Sequence, residues 1–127
     1  MDAQQYLTEI KVKLVASSVV TSVTILEEHA LPDRGYFRAR LTLGNGDFLE
    51  VAEYFVVEEA NCVTKRYRYQ WMDESQQVLR KRWDNVEHFP ELPNFPHHVH
   101  IGETSQVEPG KLLSILELID MIEQEIG

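Results

Sequence analysis

The residues best suited to chemistry lie in two stretches, Arg82-Trp83-Asp84-Asn85-Val86-Glu87-His88 and Phe95-Pro96-His97-His98-Val99-His100. Imidazole accepts or donates a proton near neutral pH, whereas guanidinium keeps its proton and stabilises anionic charge. Cleavage of an RNA strand needs these parts: a base for the 2′-hydroxyl proton, an acid for the departing 5′-oxygen, and fixed cations for the phosphorane. His98 and His100 are candidates for acid and base, Arg82 for the phosphate, and Asp84 for orienting the histidines. In an extended chain His98 and His100 share one side and His97 takes the other. Such a pair also suits a metal ion, with Asp84, His88 or Glu53 completing the shell. The spacing falls short of a closed zinc signature and there is one cysteine, Cys62, so chemistry without metal or cofactor is the favoured reading. His29, His97 and Cys62 read as structural.

A second group would bind the strand. All seven arginines fall between residues 34 and 82, and in the alternating segments Arg38, Arg40, Arg66, Arg68, Arg80 and Arg82 share one face with Gln70 and Asp84. The opposite face takes Phe37, Ala39, Leu41, Leu49, Val51, Phe55, Val57, Tyr67, Tyr69, Trp71, Leu79 and Trp83, a core surface for helices. Pairing with Glu50 and Glu58 would make the arginines a solvated face of little energetic weight. Arginine without lysine at these positions instead suits phosphates and bases. Arg66, Arg68, Tyr67 and Tyr69 are then expected to position the strand, with Arg38, Arg40 and Arg80 extending the basic wall. Glu53 is the exception on the apolar face. A carboxylate there needs a partner, Tyr67 or Lys65 across the hairpin, or a raised pKa, and is a candidate general base.

The elements that must hold these residues can be read from periodicity. Ala3, Tyr6, Leu7, Ile10 and Leu14 predict a helix over 3–15, with Asp2 as its N-cap. Val19 to Glu28 reads as a strand and Leu31-Pro32-Asp33-Arg34-Gly35 as a turn. Tyr36 to Leu43 and Asp47 to Val57 flank Gly44-Asn45-Gly46. A three-residue loop with Gly46 in the left-handed bulge position opposes Leu41 to Leu49, Ala39 to Val51 and Phe37 to Glu53, so the apolar sets coincide. Cys62 to Trp71 and Gln77 to Asp84 complete five strands. Residues 85–110 hold every proline but Pro32 and are expected to be irregular. Lys111 to Ile126 predicts a second helix entered through Pro109 and Gly110. The expected fold is α+β: a five-stranded antiparallel up-and-down meander, with an N-terminal and a C-terminal helix packed on its apolar face.

With 127 residues, 43% of them hydrophobic, the chain is the size of a single domain, 1–127, and can bury a core without disulfides. No leader pattern and no apolar run of membrane-spanning length is visible, so a cytoplasmic location with no membrane partner is expected by exclusion. A net charge of −9 argues against polyanions at long range. Charge is segregated, however: the stretch from Glu103 to Gly127 holds six acidic residues and one lysine.

The run Val51-Ala52-Glu53-Tyr54-Phe55, Tyr67-Arg68-Tyr69-Gln70-Trp71, Arg82-Trp83-Asp84-Asn85, His88 and Phe95-Pro96-His97-His98-Val99-His100 resembles the TumE family of toxins from prokaryotic toxin-antitoxin pairs. The likeness covers roughly residues 20 to 120. It implies a toxin's genetic role and carries over to Glu53, Tyr67, Tyr69, Arg82, Asp84, His88, His98 and His100. The partner it suggests is a cognate antitoxin, a small helix-turn-helix protein, while the arginine face and the histidines suggest RNA. A homodimer is a further option. A non-catalytic module that docks nucleic acid or protein, and a His/Glu metalloenzyme, remain as alternatives.

Overall fold

The computed structural model describes residues 1–102, 104 and 106–127. Helix α1 is Ala3–Ala16, followed by β1 Val20–Leu31, β2 Arg34–Leu43, β3 Phe48–Glu58, β4 Asn61–Met72, β5 Leu79–Asp84, β6 His98–Ile101, β7 Val107–Pro109 and helix α2 Ile115–Ile126. Among the described residues the strands form one antiparallel sheet of seven in sequence order. Two short strands therefore emerge from the segment expected to be irregular, of which Glu103 and Ser105 lie outside the described residues. The physical reason is the free backbone of β5: an outer strand next to a core needs its N–H and C=O groups paired. His98–Ile101 supplies those partners, and a strand of four residues is too short to stand out from the sequence by alternation.

The β2–β3 register is the one expected from the bulged turn, with Leu41 opposite Leu49, Ala39 opposite Val51 and Phe37 opposite Glu53. Gly46 takes φ +91°, the left-handed position that glycine fills without a Cβ clash. A bulge between Trp71 and Met72 pairs them with Lys81 and Leu79 and leaves Arg80 between. Lys81 thereby lies opposite Trp71 and reaches α2, its Nζ donating to Glu125 at 3.1 Å.

The two helices flank the sheet. Asp2 caps α1 through a box with Gln5, and Ala3, Tyr6, Leu7, Ile10 and Leu14 are its buried residues, as the spacing predicts. Helix α2 starts later than expected. Ser114, not the Pro109-Gly110 pair, caps it, with Glu117 completing the box, so the Ser114 and Glu117 N–H groups are both satisfied. Leu118, Ile119 and Ile122 of α2 share a core with Phe37, Leu49, Val51, Phe55, Tyr69 and Trp83. Each fully buried side chain of this kind contributes roughly 1.5–3 kcal/mol. Gly35 permits a close approach: a Cβ there would fall 2.3 Å from the Phe55 ring. Among the described residues no helix is long and apolar enough to cross a membrane.

Candidate active site

Antiparallel pairing brings the two chemical stretches together. Arg82 lies opposite His100 and Asp84 opposite His98, while on the other flank Arg68 faces Asp84 and Gln70 faces Arg82. Residues opposite one another project from the same face, so alternation along β5 and β6 places all four on the arginine side. Asp84 is the centre of the group and is only 3% exposed. Its Oδ1 accepts from the Val86 N–H at 3.1 Å and lies 2.9 Å from His98 Nε2. Its Oδ2 lies 3.4 Å from Arg82 Nε and 3.8 Å from His100 Nε2. His98 Nδ1 meets the Pro96 carbonyl at 2.8 Å; a carbonyl can only accept, so Nδ1 carries a proton, and Nε2 turns to Asp84. The His98 and Arg82 contacts with Asp84 have ion-pair distance without the line of a hydrogen bond.

In front of Asp84 opens a hollow of about 230 Å³ lined by Arg68, Arg82, Asp84, Val86, His88 and His100. His98 stands behind it at 2% exposure, against Asp84 and not among the lining residues. Phe89 packs its ring edge-to-face with His98 and His100, at centroid distances of 5.3 and 6.1 Å, which fixes both imidazoles. It does so at φ +57°, a strained conformation for an aromatic residue. His100 is held below the ordinary imidazole range, first by burial and then by the Arg82 guanidinium, with Asp84 opposing. Asp84, His98 and His100 offer ligand atoms within 4.8 Å of one another and could hold a metal ion. A cation there would share the carboxylate with Arg82, whose positive charge already stands beside Oδ2.

Other expected site residues lie elsewhere. Glu53 is fully buried on the helix side of the sheet. Its Oε2 accepts from Tyr6 and Thr64 hydroxyls at 2.7 and 2.8 Å, and its Oε1 from the Ile115 N–H at 2.8 Å. These donors replace the Tyr67 or Lys65 partner expected. Burial raises Glu53 above the ordinary carboxylate range despite them. Such a closed site has no room for substrate, so Glu53 anchors both helices. Tyr69, also on that side, donates to the Leu113 carbonyl at 2.8 Å. The Tyr67 hydroxyl donates to the Lys111 carbonyl and meets His97 Nδ1, both at 2.9 Å. Alternation sets these two tyrosines opposite to the arginines, although Tyr67 also borders a hollow of about 420 Å³ beside Arg66 and Arg68. Arg80, the bulge residue, grips the buried Asp47 with Nε and Nη2 at 2.6 and 3.1 Å, and Trp71 Nε1 donates to the same carboxylate at 2.9 Å.

Arg38 and Arg40 both reach Glu50, at 3.1 and 3.2 Å. Partial burial would raise Glu50, but the hydrogen bonds from Arg40 and Arg38 outweigh it and hold the carboxyl below its usual range. Among the described residues Arg66 and Arg68 are the arginines with no carboxylate in ion-pair range. Sequence reading missed Phe89, Asp47, Tyr36 and Tyr54. For the two tyrosines the signal was present, since they occupy the arginine phase of the alternation in β2 and β3, Tyr36 opposite Tyr54 and Tyr54 opposite Arg66. No curated protein and no solved structure matches the chain. The family model described as Toxin TumE matches residues 10–127, and the chain belongs to that family.

Proposed function

We propose that this toxin acts on RNA, binding it along the arginine face and cleaving it without metal in the hollow before Asp84. The observation that carries the reading is the meeting of Arg82, His100 and the buried Asp84 at the mouth of a hollow whose wall includes Arg68, which has no carboxylate partner among the described residues. Arg82 and Arg68 hold the scissile phosphate and neutralise the phosphorane. His100, low in pKa and hence neutral near pH 7, takes the 2′-hydroxyl proton. The 2′-oxygen bonds to phosphorus, the bond to the 5′-oxygen breaks, and His88 supplies the proton that leaves with it. The products are a 2′,3′-cyclic phosphate and a 5′-hydroxyl. His98 and Asp84 position His100 and Arg82. The work is done in the cytoplasm, and a helix-turn-helix antitoxin with an acidic surface would neutralise the face.

Expression of the chain should arrest growth, and His100→Ala or Arg82→Ala should relieve the arrest while circular dichroism of the purified variants stays unchanged. The purified chain should release cyclic phosphate ends from RNA in excess chelator. Arrest undiminished by both substitutions would remove this site. Cleavage lost to chelator and restored by a divalent metal would transfer the chemistry to a metal on Asp84, His98 and His100. Salt-dependent RNA binding with no cleavage would leave a binding module.

A further inference from the structure

A second hollow, of about 420 Å³, opens on the same face next to the first. Its cause is a size contrast along the sheet. Ala52 lies between Arg38 and Arg68 in one cross-strand row, and the neighbouring row holds Tyr36, Tyr54 and Arg66. A methyl group flanked by long side chains leaves a depression. Tyr36 and Tyr54 are half-buried around it, and the Arg66 guanidinium sits 5.4 Å from the centre of the Tyr54 ring, a cation–π arrangement. Arg68 and Val86 line both hollows and form their common wall. No carboxylate lines the larger one, and the two arginines without a carboxylate partner among the described residues both do.

Aromatic rings interleaved with guanidinium groups are what an unpaired nucleobase needs: faces to stack on and positive charge for the phosphate beside it. From Arg66 to Arg68 is one two-residue step of β4, about 6.8 Å, close to the length of one nucleotide in an extended strand. We propose that the hollow at Tyr36, Ala52, Tyr54 and Arg66 is a nucleobase subsite, seating the base next to the phosphate gripped by Arg68 and Arg82, so the substrate is single-stranded RNA. This rests on the RNA reading above and narrows it. A duplex is excluded because its paired bases cannot turn into the pocket.

The test uses fluorescence anisotropy with a labelled single-stranded RNA oligomer, the same oligomer carrying abasic positions, and an RNA duplex, on the full chain. Wild type should bind the intact single strand more tightly than the abasic one or the duplex. Tyr54→Ala should weaken binding of the intact strand about tenfold and leave the abasic strand unchanged, while Tyr54→Phe, which keeps the ring, should bind as wild type. Tyr54→Ala binding the intact strand as wild type does would overturn the subsite and spare the RNA reading. Wild type binding none of the three would overturn both. Preference for the duplex would overturn the subsite alone.

Discussion

Glu53 and Asp84 are buried carboxylates on strands of one sheet, 0% and 3% exposed, yet they face opposite sides and opposite fates. Glu53 is surrounded by neutral donors from α1, β4 and the start of α2. Its environment is closed, and its effect is to hold three elements in register. Asp84 is surrounded by charge and imidazole, from Arg82, His98 and His100, and a hollow opens in front of it. Burial of a carboxylate is thus no sign of function by itself. What separates the two is whether the neighbours are neutral and fixed, or cationic and reachable from solvent.

The largest break in this comparison is expected from alanine at each position. Glu53→Ala strands three buried donors, and at roughly 1–3 kcal/mol for each unsatisfied group the loss should be about 3 kcal/mol or more. Asp84→Ala should cost less, about 1–2 kcal/mol, because His98 is the one of its three side-chain neighbours closed to water. Arg82 and His100 keep side-chain exposures of 27% and 18% and can turn to water. Urea denaturation of both variants measures the contrast, and equal losses would erase it. The order should reverse for RNA cleavage. Asp84→Asn should lower the rate by about 100-fold at unchanged fold, whereas any effect of Glu53→Gln should follow its stability.

Much of this arrangement was legible in the sequence, because period two is a strong signal over long strands. The bulged turn at Gly46 and the pairing of Phe37 with Glu53 follow from matching apolar sets, and the sharing of a side by His98 and His100 follows from period two once the segment is extended. Two kinds of information were not legible. One was tertiary pairing: β6 and β7 have four and three residues, and only the open edge of β5 calls them into strands. The other was bulges. A single extra residue at Arg80 moved it from the arginine wall to Asp47 and sent Lys81 to α2. Glu53 was visible as an anomaly, but the donors that explain it come from residues 47 and 62 positions away.

A smaller effect, in pH dependence, sharpens the same contrast. Burial raises Glu53, so the folded chain holds that proton more tightly than the unfolded one. The resulting stability is complete below the unfolded value of about 4.3 and is lost as pH rises toward the folded value. Wild type should therefore gain on Glu53→Gln in thermal melts as pH falls through that window. His100 has the opposite sign: its folded pKa is lowered, so its contribution is present at high pH and lost as pH falls below about 6.5. Arg82 pushes His100 down and Asp84 pulls it up. Its NMR titration should thus move up in Arg82→Ala and down in Asp84→Asn. Two shifts of the same direction would break the assignment.

The smallest effect expected is that of Tyr69→Phe. The Tyr69 hydroxyl is fully buried and donates to the Leu113 carbonyl at 2.8 Å, just before the cap of α2. Removing it leaves that carbonyl without its donor, a loss of about 1 kcal/mol in urea denaturation. The ring remains, and with it the stack on Tyr67 at 5.2 Å, so packing should be preserved. Tyr69 belongs to the side of the sheet that Glu53 organises, and RNA affinity and cleavage should be those of wild type. A variant that kept its stability but lost RNA binding would mean that the two faces are not separate, and that the wall between Glu53 and Asp84 transmits what it was taken to divide.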